Sequence, residues 1–308
     1  MPLSVAIAVA SRDRPQSLAT LLRALAQATP PEGALEVVIA DTGAAASVRP
    51  PPDYPVPIRV LREPSGWRSR GLNAVLAAVQ ADLVIVFDDD TVPVPGAVRA
   101  YADAAGRYGP GWFFGGPHVG VDADQRPIPD PGPWREILPR SVRGLDLGAD
   151  EVAVREPLFL GFNMAAFAAD LRRAGGFPDY LGANPDTPLR GDETVLQQRM
   201  LGAGLAGVYL PGARVAHLVP PAHRTFAFAL DRARQTGASR VLAEARETDP
   251  GRPPRPLVEL ARAAAAAARW ATAAAAGRPA ERRLRLRYDM HRDWGRVQAA
   301  LRARRGRP

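Results

Sequence analysis

Five consecutive apolar residues, Leu83-Val84-Ile85-Val86-Phe87, run straight into three aspartates, Asp88-Asp89-Asp90. Three of the five are β-branched, and polar residues do not alternate with them. A strand of that kind is buried on both faces, which predicts a parallel or mixed sheet covered by helices on each side. In open α/β sheets, ligands bind beyond the carboxyl ends of the strands. Three acids at such a place gather hard oxygen donors, the chemistry that suits Mg²⁺ or Mn²⁺ shared with a substrate diphosphate. A solvated acidic turn is the plain alternative.

The surrounding pattern repeats the theme. Ser4 to Ala10 reads as a strand, and Pro15 to Gln27 as a helix with Leu18, Leu21, Leu22 and Leu25 on one face. Leu35 to Ala40 and Ile58 to Leu61 read as strands, and Asn73 to Val79 as a helix. Farther on, the residues predict a loop over Pro117 to Pro139, helices over Ala165 to Ala174 and Thr194 to Leu201, and a strand over Gly207 to Leu210. Alternating strands and helices predict an α/β, doubly wound sheet with helices on both faces.

The 308 residues include no cysteine, which excludes disulfides and thiolate metal sites. There is also no lysine, so a single arginine says little about function. Of the 40 arginines, 11 lie between Arg278 and Pro308 against three acids, Glu281, Asp289 and Asp293. The whole net charge of +8 therefore sits in the tail, and the rest balances. Such segregation is the pattern of a partner-binding segment or of one that meets an anionic membrane surface; a tail packed on the body with its arginines as a solvated face is the plain alternative. No nucleic-acid recognition motif accompanies it, so no nucleic acid is expected. The N-terminus lacks a basic region and its apolar run breaks at Ser11-Arg12-Asp13-Arg14, unlike a signal peptide. Leu257 to Gly277 is rich in alanine but carries Glu259, Arg262 and Arg269, unlike a membrane span. A cytoplasmic protein, peripheral on the inner membrane leaflet, is expected. Arg252-Pro253-Pro254-Arg255-Pro256 reads as a linker. Beyond it come the alanine-rich helix and a basic segment from Glu281 to Arg304. Leu284, Leu286, Tyr288 and Met290 alternate like a strand, whereas Trp294, Val297 and Leu301 have helical spacing; a helix is expected overall.

Several pieces stand in the order found in the family 2 glycosyltransferases of the GT-A fold. They are the opening VAIAVASRDRP, the acid Asp41, GWRSRGLN from Gly66 to Asn73, the Asp88–Asp90 triplet, GFNM from Gly161 with Gly175-Gly176-Phe177, GDET from Gly191, and LPGARVAH ending at His217. Together they resemble that family over roughly residues 3 to 240. The resemblance implies an inverting, metal-dependent transfer from a UDP-, GDP- or dTDP-sugar to a hydroxyl acceptor. It implies Asp90, Asp88 and His217 around the divalent cation (Mn²⁺ or Mg²⁺), and Ser11, Arg12, Asp41, Arg70, Asn73, Asp88, Asp89, Arg232 and Arg234 around the nucleotide sugar. It also implies a glycosyltransferase domain over residues 1–250, with a donor half to 116 and an acceptor half from 117. A linker over 251–256 and a helical extension over 257–308 would follow.

Asp192-Glu193 departs from the family's usual Glu-Asp order. Position makes Glu193 the general base, and side-chain type makes it Asp192. Asp192 as a simple helix N-cap is the structural alternative. Asp88-Asp89-Asp90-Thr91-Val92 also spells the nucleophile motif of haloacid-dehalogenase-type phosphohydrolases. That motif belongs on a first strand, with a basic partner that is usually lysine. A sugar nucleotidyltransferase would need a glycine-rich basic loop at the N-terminus, and a non-catalytic nucleotide-sugar-binding protein would leave the acids idle.

Overall fold

The computed structural model describes residues 2–184, 189–248 and 254–304. The chain begins with β1 (Val5–Ser11), α1 (Pro15–Ala26), β2 (Leu35–Asp41), β3 (Ile58–Arg62), α2 (Arg68–Ala78) and β4 (Leu83–Asp88). Pro15 starts α1 at a position where its missing N–H costs nothing, and Leu18, Leu21, Leu22 and Leu25 form the buried face. A short β5 (Thr91–Pro93) leads to α3 (Ala97–Tyr108), β6 (Trp112–Gly115) and β7 (His118–Val121). After a 3-10 turn at Gly132–Ile137 come α4 (Arg140–Arg143), β8 (Val152–Val154), β9 (Met164–Phe167), α5 (Ala168–Arg173) and α6 (Asp192–Gly202). Then follow β10 (Ala206–Tyr209), β11 (Val215–Leu218), α7 (Phe226–Ala243), α8 (Pro256–Ala275) and α9 (Ala280–Arg304).

Eight strands form the main sheet in the order β3-β2-β1-β4-β9-β6-β10-β8, with β9 antiparallel to both neighbours. β4 lies near its middle. Leu83, Ile85 and Phe87 enter one core and Val84 and Val86 the other. The unbroken apolar run is therefore explained by burial on both faces. A second sheet, β5-β11-β7, stands at the carboxyl end of β4.

Two sequence expectations need correction. Residues 164–167 form β9, and the helix starts only at Ala168. Ala165 and Ala166 are wholly buried between β4 and β6, a slot that takes small side chains, so tertiary pairing overrides alanine's helix preference. The expected loop over 117–139 contains β7 and a 3-10 turn. The expected helix is found at the C-terminus, where the alternating run at Leu284–Met290 is continuous with the residues beyond it. Of the expected linker, residues 251–253 lie outside the described residues, as do 305–308 of the tail.

Of the two C-terminal helices, α9 packs on α7 and α8 packs on α9. Gly237 of α7 meets the main chain of Arg292, and Gly295 of α9 meets that of Arg234, so an added Cβ at either would overlap backbone. Arg296 locks the crossing: it bonds Glu259 of α8 at 2.7 and 3.0 Å and Glu244 at 3.0 and 2.6 Å. Arg296 and Glu259 are both buried. Arg296→Ala would leave the Glu259 carboxylate buried without its main partner, a change that typically costs about 3–5 kcal/mol. A urea melt of this variant is expected to show that loss; a shift below about 1 kcal/mol would mean the helices are held by packing alone.

Candidate active site

The register of the main sheet aligns the functional ends. Ser11 pairs with Asp41 and Ala10 with Asp88, so the carboxyl ends of β1, β2 and β4 share one edge. The triplet divides there by environment. Asp89 turns inward, accepts from Ser11 Oγ at 2.8 Å and meets Arg14 at 3.3 Å. Burial, then the adjoining Asp90, raises its pKa. Asp88 accepts from Arg68 Nε at 2.7 Å. Asp90 binds Arg14 through Oδ2 at 2.9 Å, while its buried Oδ1 has no hydrogen-bond partner.

His217 faces that orphaned oxygen. β11 pairs antiparallel with β5, which sets His217 opposite Thr91, and Leu218 N–H donates to the Asp90 carbonyl at 2.8 Å. The imidazole stacks on Phe162 with centroids 4.4 Å apart. Its Nδ1 lies 3.0 Å from the Ser141 carbonyl, an acceptor, which assigns the proton to Nδ1. Nε2 is left facing Asp90 Oδ1, 3.6 Å away and beyond hydrogen-bond reach. A carboxylate oxygen without a hydrogen-bond partner and an imidazole nitrogen facing the same spot can be bridged by a cation. Among the described residues no group of three or more His, Asp or Glu side chains could hold a metal by itself. A site of few protein ligands completed by phosphate oxygens and water is how Mg²⁺ is held at diphosphates, although the His217 nitrogen departs from its all-oxygen preference.

The second acidic pair opens α6. Gly191 takes the left-handed conformation (φ 92°), which favours glycine, and turns Asp192 and Glu193 into the first helical turn. Asp192 is buried and accepts from Arg68 Nη1 at 2.7 Å. The Arg68 guanidinium thus binds Asp88, Asp192 and, through Nη2, the Gly161 carbonyl at 2.8 Å. It joins the strand-end acids to the helix acids. Glu193 makes no ion pair among the described residues. Desolvation, then its neighbour Asp192, pushes its pKa up to about 8. Both effects outweigh the helix N-terminus, which on its own would favour the ionised form.

Other expected site residues lie around this centre in different ways. Asp41 is buried, and the main-chain N–H groups of Gly43, Ser47 and Val48 donate to it, which holds its pKa low despite burial. Arg12 donates to the Gly66 carbonyl at 3.2 Å. Arg70 is exposed, over the Trp67 ring. The Asn73 amide exchanges two bonds with the Phe177 main chain. Arg232 and Arg234 part company. Arg232 lies over Phe228, which stacks on His223, and the charges of Asp90, Arg14 and His217 reach that histidine. Arg234 faces α8 and α9.

Arg14, Arg68, Phe162, Arg140 and Arg190 were not singled out from the sequence as site residues. Arg140 and Arg190 are close enough to Glu193 to feel its charge. With arginine at every basic position except the histidines, residue type could not separate Arg68 from Arg70. Only the direction of each residue on α2 does so.

The family model of glycosyl transferase family 2 matches residues 4–167, more than half of the chain, from β1 through β9. The chain belongs to that family. It is a glycosyltransferase, which displaces the phosphohydrolase, nucleotidyltransferase and non-catalytic alternatives. Solved structures share the fold. A mannosyltransferase from Pyrobaculum calidifontis, solved with GDP-Man and Mn²⁺, is 18% identical over 100% of this chain and 89% of its own, with a TM-score of 0.57. TarS 1-349 of S. aureus, in complex with UDP, is 14% identical over 99% and 92%, with a TM-score of 0.52. GalNAc-T7 with UDP, GalNAc and Mn²⁺ is 9% identical over 79% of this chain and 48% of its own, with a TM-score of 0.54. No curated protein matched the sequence.

Proposed function

We propose that this glycosyltransferase moves a sugar from a nucleoside diphosphate donor to a hydroxyl acceptor with inversion, aided by Mn²⁺ or Mg²⁺. The observation that carries the reading is the orphaned Asp90 Oδ1 facing Nε2 of His217, whose Nδ1 is turned to the Ser141 carbonyl. These two side chains would hold the cation. A bound cation would offset the negative charge that grows on the departing diphosphate.

The chain's own groups account for the rest. Arg14 and Ser11 fix the triplet, so Asp90 keeps one oxygen free. Arg68 occupies Asp192 and leaves Glu193 as the base. Glu193 takes the proton of the acceptor hydroxyl as its oxygen attacks the anomeric carbon. The bond to the diphosphate breaks on the opposite face, which inverts the configuration. The raised pKa makes the ionised Glu193 a stronger base than an ordinary carboxylate, and only part of it is ionised at neutral pH. Asp41 orders residues 43–48 beside the strand ends, which supports a role in shaping the nucleotide pocket.

The test is a panel of UDP-, GDP- and dTDP-sugars, read as release of nucleoside diphosphate with Mn²⁺ and with EDTA, beside thermal melts with each diphosphate. One diphosphate is expected to raise Tm with Mn²⁺ and to be released from its sugar in the presence of an acceptor alcohol. No release and no stabilisation across the panel would sink the reading.

A further inference from the structure

The arginines of the C-terminal extension fall into two groups. Arg292 and Arg296 are structural: the first pairs with Asp289 and Asp293, the second with Glu244 and Glu259. Arg278, Arg282, Arg283, Arg285, Arg287, Arg302 and Arg304 make no ion pair among the described residues, and all seven are exposed. Arg285 and Arg287 only cover the rings of Tyr288 and Phe226. Glu281 is the one acid of α9 left unpaired among the described residues. The fold therefore uses Glu244 and Glu259 to fasten α9 and pairs Asp289 and Asp293 with Arg292 within α9, which leaves the seven exposed arginines uncompensated.

Beside those cations runs an apolar groove of about 320 Å³ between α8 and α9, lined by Leu260, Ala263, Ala264, Ala267, Met290 and Trp294. Apolar side chains stand out along its rim: Leu257 is 78% exposed, Leu260 48% and Trp294 46%. Leu257, Leu260, Ala264 and Ala267 recur at three- and four-residue spacing, one stripe of α8. Arg283, Arg287, Met290 and Trp294 recur likewise on α9, so cations and apolar groups share a face. No helix among the described residues is long and apolar enough to cross a membrane.

We propose that α8 and α9 form a docking surface for an anionic lipid bilayer. The rim side chains enter the boundary between headgroups and acyl chains, while the unpaired arginines bind lipid phosphates. Tryptophan at that level keeps its ring in the apolar zone and its N–H in the wet one. A bilayer fits better than a second copy of the chain, because a copy would set the same cations against each other. The Arg296 lock and the Gly237–Gly295 crossing make the surface rigid relative to α7, whose Arg232, Phe228 and adjoining His223 stack beside the candidate site. Docking would thus fix how the active site stands over the lipid surface. This proposal is independent of the donor and cation chemistry.

The experiment is co-sedimentation of the full chain with phosphatidylcholine vesicles, with and without phosphatidylglycerol, at low and high salt. Binding is expected only to the anionic vesicles, and to weaken as salt rises. Combined Arg282→Gln, Arg283→Gln, Arg285→Gln and Arg287→Gln substitutions are expected to weaken it on the order of a hundredfold or more. Leu257→Ser with Trp294→Ser is expected to cost about tenfold. All six positions are exposed or lie outside the packed core, and circular dichroism and donor turnover with a soluble acceptor are expected to be unchanged. Failure of the full chain to bind at low salt would overturn the proposal, as would undiminished binding by the fourfold variant. So would a dimer, seen by light scattering, that Leu257→Ser with Trp294→Ser dissolves without affecting vesicle binding.

Discussion

Glu193→Gln is expected to lower kcat by ~10²–10⁴-fold while leaving donor affinity within a few-fold of the wild type, the signature of a lost general base. The geometry predicts a contrast with Asp192→Asn. Asp192 is held by Arg68 at 2.7 Å, so its loss disturbs positioning and is expected to affect KM and kcat together. The pH profile is an independent check. The raised pKa of Glu193 means that the ionised base becomes scarce as pH falls through about 8. Activity is therefore expected to rise with pH and to drop about tenfold per unit on the acid side. The linkage to stability has the opposite sign. Between the ordinary carboxylate range and pH 8 the folded state holds the extra proton, so this group's contribution declines as pH rises. A larger kcat loss in Asp192→Asn than in Glu193→Gln, or an acid limb near pH 4, would reverse the assignment.

Asp90→Ala is expected to abolish transfer and the Tm increase given by nucleoside diphosphate with Mn²⁺. A cation at the leaving group supplies several kcal/mol to the transition state, which corresponds to on the order of 10³ in rate. Arg14 would keep its contact with Asp89, so the strand end is expected to stay folded. Melts with UDP and GDP, each with Mn²⁺ or EDTA, separate loss of binding from loss of fold. Full wild-type activity in excess EDTA would refute the role of the cation.

Much of this was legible in the residues. The double burial of β4 followed from five apolar residues without alternation, and the acids at its end followed from sheet geometry. The helical C-terminus was also legible, although its first half was ambiguous because arginine and leucine alternate there. The antiparallel β9 was not legible, since Met164-Ala165-Ala166-Phe167 carries no strand signal of its own; the slot between β4 and β6 imposes it. Arg68 was hidden for a different reason. Its role depends on where Asp88, Asp192 and Gly161 converge, and these residues are far apart in sequence. The placement of His217 beside Asp90 arises from the register of the small sheet, which local pattern does not encode.

The position of β9 also bears on how the molecule assembles. β1, β2, β3 and β4 are contiguous in sequence and can pair early. β4 then presents an open, wholly apolar edge until Met164–Phe167 arrives and β6 joins on its far side. Such an edge is a template for pairing with another chain. Contacts between distant segments also form slowly. Refolding is therefore expected to pass through a concentration-sensitive stage, relieved only when β9 is inserted. A fragment ending before residue 164 is expected to aggregate, however complete its acidic triplet. The strand that carries the aspartates thus keeps one edge unpaired until β9 is made, and dilute refolding, or synthesis in which the ribosome holds chains apart, favours the native sheet.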